Sequence, residues 1–250
     1  MTNIHGSLSR TSKKKTLNST KKEDNIEDKV NLSSINKRFE NNINNVKELN
    51  EIKKYFEIEE KLKENIDFNK YEKNIYRSQI IFLISTLDFY IHEIVLYGMY
   101  KMYKTEWKIT RGRKGYESKE VNIKYLHEII ENFSSEKEID NSFINALEDS
   151  IKNYSYMKYY VIEEKFNELL GINVEGFSKK YKTKEKETKE FLNKLIKRRN
   201  QIAHQSDREK PYEDMEDIDE DYVKTSIEKI IEIKENINIA INEKNQNEYK

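Results

Sequence analysis

The chain contains no cysteine, a single proline and six glycines among its 250 residues. Without cysteine it cannot form a disulfide, use a thiolate nucleophile or build a cysteine-based zinc site. Because proline and glycine interrupt helices, their scarcity permits long, continuous helices. The hydrophobic fraction is only 36%, which is sufficient for a core only if the apolar residues are gathered into stripes.

Net charge is also absent, because 46 Lys and Arg residues balance 46 Asp and Glu residues. Overall charge therefore predicts no partner, and only its local distribution is informative. The most apolar stretch, 80–99, includes Asp88 and Glu93, which favours a buried helix over a membrane span. Residues 1–22 are polar and basic and lack the apolar core of a signal peptide. We therefore expect a cytoplasmic protein without membrane contact.

Apolar residues recur at every third or fourth position in several stretches, which is the spacing of amphipathic helices. A short and a longer helix, the latter extending from Ile139 to Met157, are predicted within 122–171. We predict an all-α bundle of four to five core helices over residues 31–250, with a helical insertion at about 105–184. The predicted core helices lie at 31–66, 68–104, 185–204 and 222–242.

Residues 1–30 differ in composition from the rest of the chain. Six Lys and Arg residues precede the first acidic residue, Glu23. Few large apolar side chains are present to offset the entropy lost on ordering. We therefore predict a disordered basic arm, which either contacts a polyanion or only aids solubility.

A basic stretch that contains two glycines follows the second predicted core helix. Gly112 and Gly115 interrupt the helical pattern beside Arg111, Arg113 and Lys114. The stretch is either a solvated connector or a loop that contacts RNA phosphates without regard to base.

Four tyrosines are close together in the predicted insertion: Tyr154, Tyr156, Tyr159 and Tyr160. Aromatic rings can stack on nucleic-acid bases. Their helical spacing also suits packing in a core.

The segment 197–204 (KRRNQIAH) ends a predicted helix. Cations are favourable at a helix C-terminus, because unpaired carbonyl groups carry partial negative charge there. This explains Lys197, Arg198 and Arg199, although Arg199 also lies four residues beyond Leu195 on the apolar face. A guanidinium on a buried face needs a partner or a function. The charge at the helix end also leaves His204 unexplained.

The segment 199–204 (RNQIAH) resembles the motif of the HEPN superfamily, in which an Arg and a polar residue are followed by three variable residues and a His. The segment 85–90 (STLDFY) looks like the second helix of the RiboL-PSP-like branch, where an acidic residue occupies a place similar to that of Asp88. The resemblance covers about residues 70–104 and 185–242.

This resemblance implies a toxin or anti-phage defence enzyme that cleaves tRNA, mRNA or rRNA without a metal or other cofactor. It also implies a homodimer in which the paired motifs line one cleft. The expected products are a 2′,3′-cyclic phosphate and a 5′-hydroxyl. His204 would move protons, and Arg199 would bind the phosphoryl oxygens. Positions five apart on a helix point about 140° apart, so a two-fold dimer can supply Arg199 from one subunit and His204 from the other.

Further site residues follow from the same resemblance. Asn200 completes the predicted catalytic set, either by orienting a neighbour or by capping the helix. Asp88 is a candidate supporting residue that hydrogen-bonds Arg199 or His204. Asp207, in contrast, belongs to an acidic segment that we expect to be solvated. The predicted RNA contacts are Lys197, Arg198, Arg111, Arg113 and Lys114.

Two aspects of regulation and targeting can also be predicted. HEPN toxins controlled by a nucleotidyltransferase antitoxin usually carry Tyr two residues after the His, where this chain has Ser206. We therefore expect no control of that kind, and another antitoxin or regulator remains open. Residues 5–10 (HGSLSR) and 36–39 (NKRF) resemble the ubiquitin-fused small-subunit ribosomal protein, which implies ribosome contact through the arm.

A non-catalytic HEPN-like module that binds RNA or a protein is the alternative function. No pair of histidines has the spacing of a zinc protease, so no metal site is expected. His92 is expected to be a buried histidine with satisfied hydrogen bonds.

Overall fold

The computed structural model describes residues 26–60, 68–119, 126, 129–131, 135–156, 158–173, 185–210 and 214–248. These residues form helices and no strand, so the predicted all-α fold is confirmed. A 3-10 turn occupies Tyr116–Ser118, and a π-helical turn at Lys165–Leu169 continues the fifth helix. The α-helices are α1 (Ile26–Lys29), α2 (Leu32–Glu60), α3 (Phe68–Tyr103), α4 (Glu136–Ile151), α5 (Tyr159–Glu164), α6 (Glu185–Gln205) and α7 (Glu220–Glu248).

Helix α3 lies at the centre of the bundle, where α2, α4, α6 and α7 pack against it. Its predicted apolar seam, which runs from Ile80 through Ile84, Leu87 and Ile91 to Ile94, is at most 2% exposed. The facing stripes of α2, α6 and α7 are also buried, so this single core extends the length of the bundle. Burial of these stripes offsets the low apolar content of the chain.

Residues Asn69–Tyr103 are long and apolar enough, by length and composition, to cross a membrane, with a mean hydropathy of 1.6 over their most apolar window. However, 61% of that window is buried inside the protein. The carboxyl groups of Asp88 and Glu93 also lie within this helix. These residues therefore have the character of the core helix of a bundle.

The prediction that residues 1–30 are disordered is wrong for the last residues of this segment. Residues Ile26–Lys29 form α1, and Val30 is only 9% exposed in the core. The Lys29 ammonium donates to the Glu148 carboxylate of α4 at 3.0 Å. These tertiary contacts supply the stabilisation that the composition of the arm lacks. Residues 1–25, including the first segment that resembles a ribosomal protein, lie outside the described residues.

The second helix predicted in the insertion also ends earlier than expected. It begins after Ser135, whose hydroxyl accepts the Glu138 N–H, and ends at Ile151. Tyr154 and Tyr156 then follow in a non-helical crossing to α5. The helix ends here because side chains of α3 bind the backbone of the crossing, an interaction that local periodicity does not report.

Candidate active site

His204 lies in an open groove between α6 and the start of α5. The groove has a volume of about 460 Å³, and both His204 and Tyr160 are exposed within it. The α6 residues that line the groove are spaced three and four positions apart, so their side chains lie on one face of the helix. None of the described residues that line the groove carries a carboxylate, although the chain has 46 acidic residues. The lining residues are Lys158, Tyr160, Asn193, Ile196, Lys197, Asn200, Gln201, His204 and Gln205.

Arg199 lies on a different face of α6 and is not among the residues that line this groove. Its Nη1 donates to Asn200 Oδ1 at 3.1 Å. Because Asn200 lines the groove, it connects the guanidinium to the groove that holds His204. Among the described residues, the buried Arg199 Nε has no hydrogen-bond acceptor. A buried donor without an acceptor is costly, so this atom is suited to an acceptor supplied from outside the chain.

Asp88 on α3 is the carboxylate that interacts with Arg199. Burial raises the pKa of the Asp88 carboxyl, while a hydrogen bond from the Tyr156 N–H and the charges of His92 and Arg199 oppose that rise. Asp88 Oδ1 accepts the Tyr156 N–H at 2.6 Å. Its interaction with Arg199 is therefore electrostatic, and its hydrogen bond is made to the insertion instead of to Arg199 or His204.

The contacts of Asp88 and His92 attach the insertion to α3. His92 Nδ1 lies 2.8 Å from the Asp88 carbonyl oxygen, and Nε2 lies 2.9 Å from the Tyr154 carbonyl oxygen. The His92 ring also meets the Tyr156 ring edge-on, with centroids 4.4 Å apart. The anchored segment leads directly into Lys158 and Tyr160. Two side chains of α3 thus position the second wall of the groove.

A buried ionic cluster, which we call the Asp207 cluster, follows the end of α6. Asp207 is 0% exposed, so its predicted solvation is wrong. Its Oδ2 accepts from Arg77 Nε at 2.6 Å and from Arg198 Nη2 at 2.9 Å. Arg198 also pairs with the Glu216 carboxylate, which accepts from Gln201 Nε2 at 2.8 Å. Burial of these charges is tolerated because each has a partner.

The Asp207 cluster determines where α6 ends. Ser206 and Asp207 have φ angles of 51° and 61°, a left-handed conformation that is unfavourable for residues other than glycine. The Asp207 N–H donates to the Gln201 carbonyl, and the Asp207 carbonyl accepts the Glu216 N–H. Such strained residues persist when surrounding contacts hold them. The cluster therefore fixes the final turn, which carries His204.

Comparison with protein families decides the identity of this bundle. The model of the RiboL-PSP-HEPN family matches residues 40–243, a span that runs from α2 to α7. The chain belongs to the RiboL-PSP-HEPN family. Comparisons with curated proteins and with solved structures give no match. The predicted resemblance to the RiboL-PSP-like branch is thus confirmed.

The predicted RNA contacts of this HEPN protein lie in three different places. Lys197 lines the His204 groove. Arg198 instead lies in the Asp207 cluster with a side chain only 12% exposed. Arg198 does not line the groove, because its guanidinium is paired with Asp207 and Glu216.

The basic loop of this HEPN protein does not line the groove. Arg111, Arg113 and Lys114 line a separate depression of about 300 Å³. Lys114 donates to Glu164 at 2.8 Å, and Glu164 is the last residue of α5, the helix that carries Tyr160. The loop therefore contacts the helix of the second groove wall without lining the groove itself.

Sequence reasoning missed Arg77 and Lys158, placed Asp207 in solvent, and did not separate Tyr160 from the other three tyrosines. The only signal for Arg77 is an arginine at the start of an apolar run. The tyrosine cluster marks Tyr160, but its spacing does not distinguish a groove position from a core position. These assignments depend on contacts between residues that are distant in sequence.

Proposed function

We propose that this HEPN protein is a metal-independent endoribonuclease of a toxin or anti-phage defence system that acts in the cytoplasm as a homodimer. The observation that carries the proposal is the groove that presents His204 and Lys197, with no carboxylate among the described residues that line it. A lining of cationic and neutral side chains favours a polyanion such as RNA. Family membership supports the same activity.

The side chains suit cleavage by an internal nucleophile. The 2′-hydroxyl of a nucleotide attacks the adjacent phosphorus, and the 5′-oxygen of the next nucleotide leaves. His204 transfers protons during this exchange, while Arg199 stabilises the charge that builds on the phosphoryl oxygens. Asn200 orients the Arg199 guanidinium through its hydrogen bond. The products are a 2′,3′-cyclic phosphate and a 5′-hydroxyl.

A second subunit completes the site in this proposal. Arg199 does not line the groove of its own chain, and its buried Nε has no acceptor among the described residues. A two-fold axis near α6 would place Arg199 of one subunit beside His204 of the other. Both active groups then face one phosphate.

Helix α3 offers a surface for this dimer beside Asp88. We call it the α3 stripe: Ser78, Phe82, Ser85 and Phe89, which repeat at alternating intervals of four and three residues. Phe82 is 53% exposed and Phe89 is 47% exposed. Large rings that alternate with small serines can interdigitate with a second copy of the same stripe. The stripe lies beside the carboxylate that Arg199 faces, so its pairing would bring two motifs together.

Replacing both aromatic residues of the α3 stripe, Phe82→Glu and Phe89→Glu, should convert the dimer to a monomer and abolish RNA cleavage. Facing carboxylates repel each other and remove the apolar contact. Light scattering after gel filtration measures the mass, and circular dichroism checks the fold. Tyr55→Glu is the matched control, because Tyr55 is 71% exposed on α2. A double variant that stays dimeric would contradict the interface, and a monomer that cleaves RNA would contradict the shared site.

The test of the function is sequencing of RNA 5′-hydroxyl ends after brief expression of the wild type and of His204→Ala. We expect discrete new 5′-hydroxyl ends with the wild type and none with the variant. His204 is exposed, so its truncation leaves the core intact. Unchanged ends with folded His204→Ala would refute the role of His204. A wild type that binds RNA but generates no such ends would favour a non-catalytic module.

A further inference from the structure

The tertiary structure separates the four tyrosines of the insertion into different environments. Tyr156 and Tyr159 are only 1% and 8% exposed and belong to the core. Tyr154 is 41% exposed, with the Lys165 and Lys119 ammonium groups 4.3 and 5.5 Å from its ring centroid. Of the four, only Tyr160, which is 59% exposed, lines the groove that contains His204.

We propose that Tyr160 is the base-stacking residue of the cleavage groove and that Lys158 and Lys197 hold the flanking phosphates. The substrate is therefore an unpaired, single-stranded segment of RNA. This inference rests on the proposed ribonuclease function and adds the substrate class and a specificity residue in the insertion.

The ring and the charges are arranged for a nucleotide. The Lys158 ammonium lies 5.8 Å from the centroid of the Tyr160 ring. A group that neutralises a phosphate is therefore next to a ring that stacks on a base, a combination typical of single-strand binding sites. Lys197 supplies a second charge from α6 across the groove. The volume of about 460 Å³ lies in the range of pockets that hold a small ligand.

The need for an unpaired base follows from the geometry of nucleic acids. A paired base has both faces covered by its neighbours in the helix, so a protein ring cannot stack on it without unstacking it first. In a single strand the base can turn outward. Because Tyr160 and His204 line the same groove, the stacked base belongs to a nucleotide close to the cleaved bond.

The groove also contains amide side chains that can contact a base. Asn193 and Gln205 line the same space, and amide groups can both donate to and accept from the edge of an unpaired base. The Gln201 amide is instead buried, with its Nε2 bonded to Glu216. The ring would fix the position of the base and the amides would contact its edge. The described part of the lining contains no carboxylate that would repel the flanking phosphates.

The test uses labelled RNA oligomers that differ at one nucleotide. That nucleotide is unpaired, abasic or paired in a hairpin, and its position is varied along the strand. Binding is measured by fluorescence anisotropy in the His204→Ala background, and cleavage is measured with His204 intact. Tyr160→Ala should weaken both by roughly 5- to 150-fold on the single strand. Tyr160→Trp should restore both. Tyr154→Ala, an exposed tyrosine outside the groove, is the matched control and should change neither.

The decisive comparison combines the protein change with the RNA change. An abasic site at the stacked position should weaken RNA binding by the wild-type Tyr160 protein by the same factor. The Tyr160→Ala variant should lose no further binding on that RNA. Equal loss on intact and abasic RNA, or full binding by folded Tyr160→Ala, would overturn the proposal.

The two measurements separate this inference from the nuclease proposal. Binding that depends on Tyr160, without cleavage by the wild type, would refute the nuclease and retain the stacking site. Cleavage that is independent of Tyr160 would retain the nuclease and refute the stacking site.

Discussion

Arg199→Ala and His204→Ala, each inactive alone, should recover about a quarter of wild-type RNA cleavage when the two proteins are mixed and exchange subunits freely. Loss of a proton-transferring histidine costs roughly 10²–10⁴-fold in rate. Loss of a group that stabilises developing charge costs roughly 10²–10³-fold. A mixed dimer has one site with both groups and one site with neither. At equal concentrations about half of the dimers are mixed, which leaves about one site in four intact.

The structural reason for this expectation is the placement of the two side chains on α6. His204 lines the groove, whereas Arg199 does not line it, donates to Asn200, and interacts electrostatically with Asp88 of α3. Recovery is followed as initial cleavage rate, and subunit exchange is confirmed by energy transfer between labelled chains. Arg199→Ala mixed with the Arg199→Ala, His204→Ala double variant is the control and should recover nothing. Absence of recovery despite complete exchange would show that both groups act within one chain.

Asp207→Ala should destabilise the protein by about 3–5 kcal/mol, because it leaves the buried guanidinium groups of Arg77 and Arg198 without their shared carboxylate. In a chain of this size that corresponds to a fall in melting temperature of about 6–20 °C. The carboxylate contacts that tie the turn after α6 to Arg77 and Arg198 are lost, while the backbone hydrogen bonds of residue 207 remain. We expect the last turn of α6 to loosen and RNA cleavage to fall with it.

Calorimetry and RNA cleavage at a temperature where the variant remains folded measure the two effects separately. Asp207→Asn keeps the size of the side chain and one carbonyl acceptor, so its loss of stability should be smaller. Asp214→Ala is the matched control, because Asp214 is an exposed acid of the same segment and should change stability by less than about 0.5 kcal/mol. A melting temperature of Asp207→Ala equal to that of the control would contradict the role of the Asp207 cluster.

Two sets of buried polar contacts hold adjacent parts of the groove. The Asp207 cluster fixes the end of α6, and that end carries His204. Asp88 and His92 fix the insertion, and the insertion carries Lys158 and Tyr160. The groove is thus held from both sides by buried polar contacts. Loss of either set should affect RNA cleavage without removal of any groove residue.

The errors in the sequence predictions have a common cause. The insertion helix ends at Ile151, and α1 forms within the predicted arm, because of contacts with α3 and α4. Arg198 and Asp207 are buried because Arg77, which lies 130 residues before Asp207, completes their cluster. None of these partners is adjacent in sequence, so no local pattern predicts them.

The sequence by itself determined the helical class, the position of the central helix α3 and the HEPN motif from Arg199 to His204. These features are local, since apolar periodicity and a six-residue pattern need no knowledge of distant contacts. Only the tertiary structure decided that Arg198 and Asp207 are buried in one ionic cluster, and that Tyr160 alone of the four tyrosines lines the groove with His204. The direction of a side chain depends on what packs beside it, and those neighbours come from parts of the chain far apart in sequence.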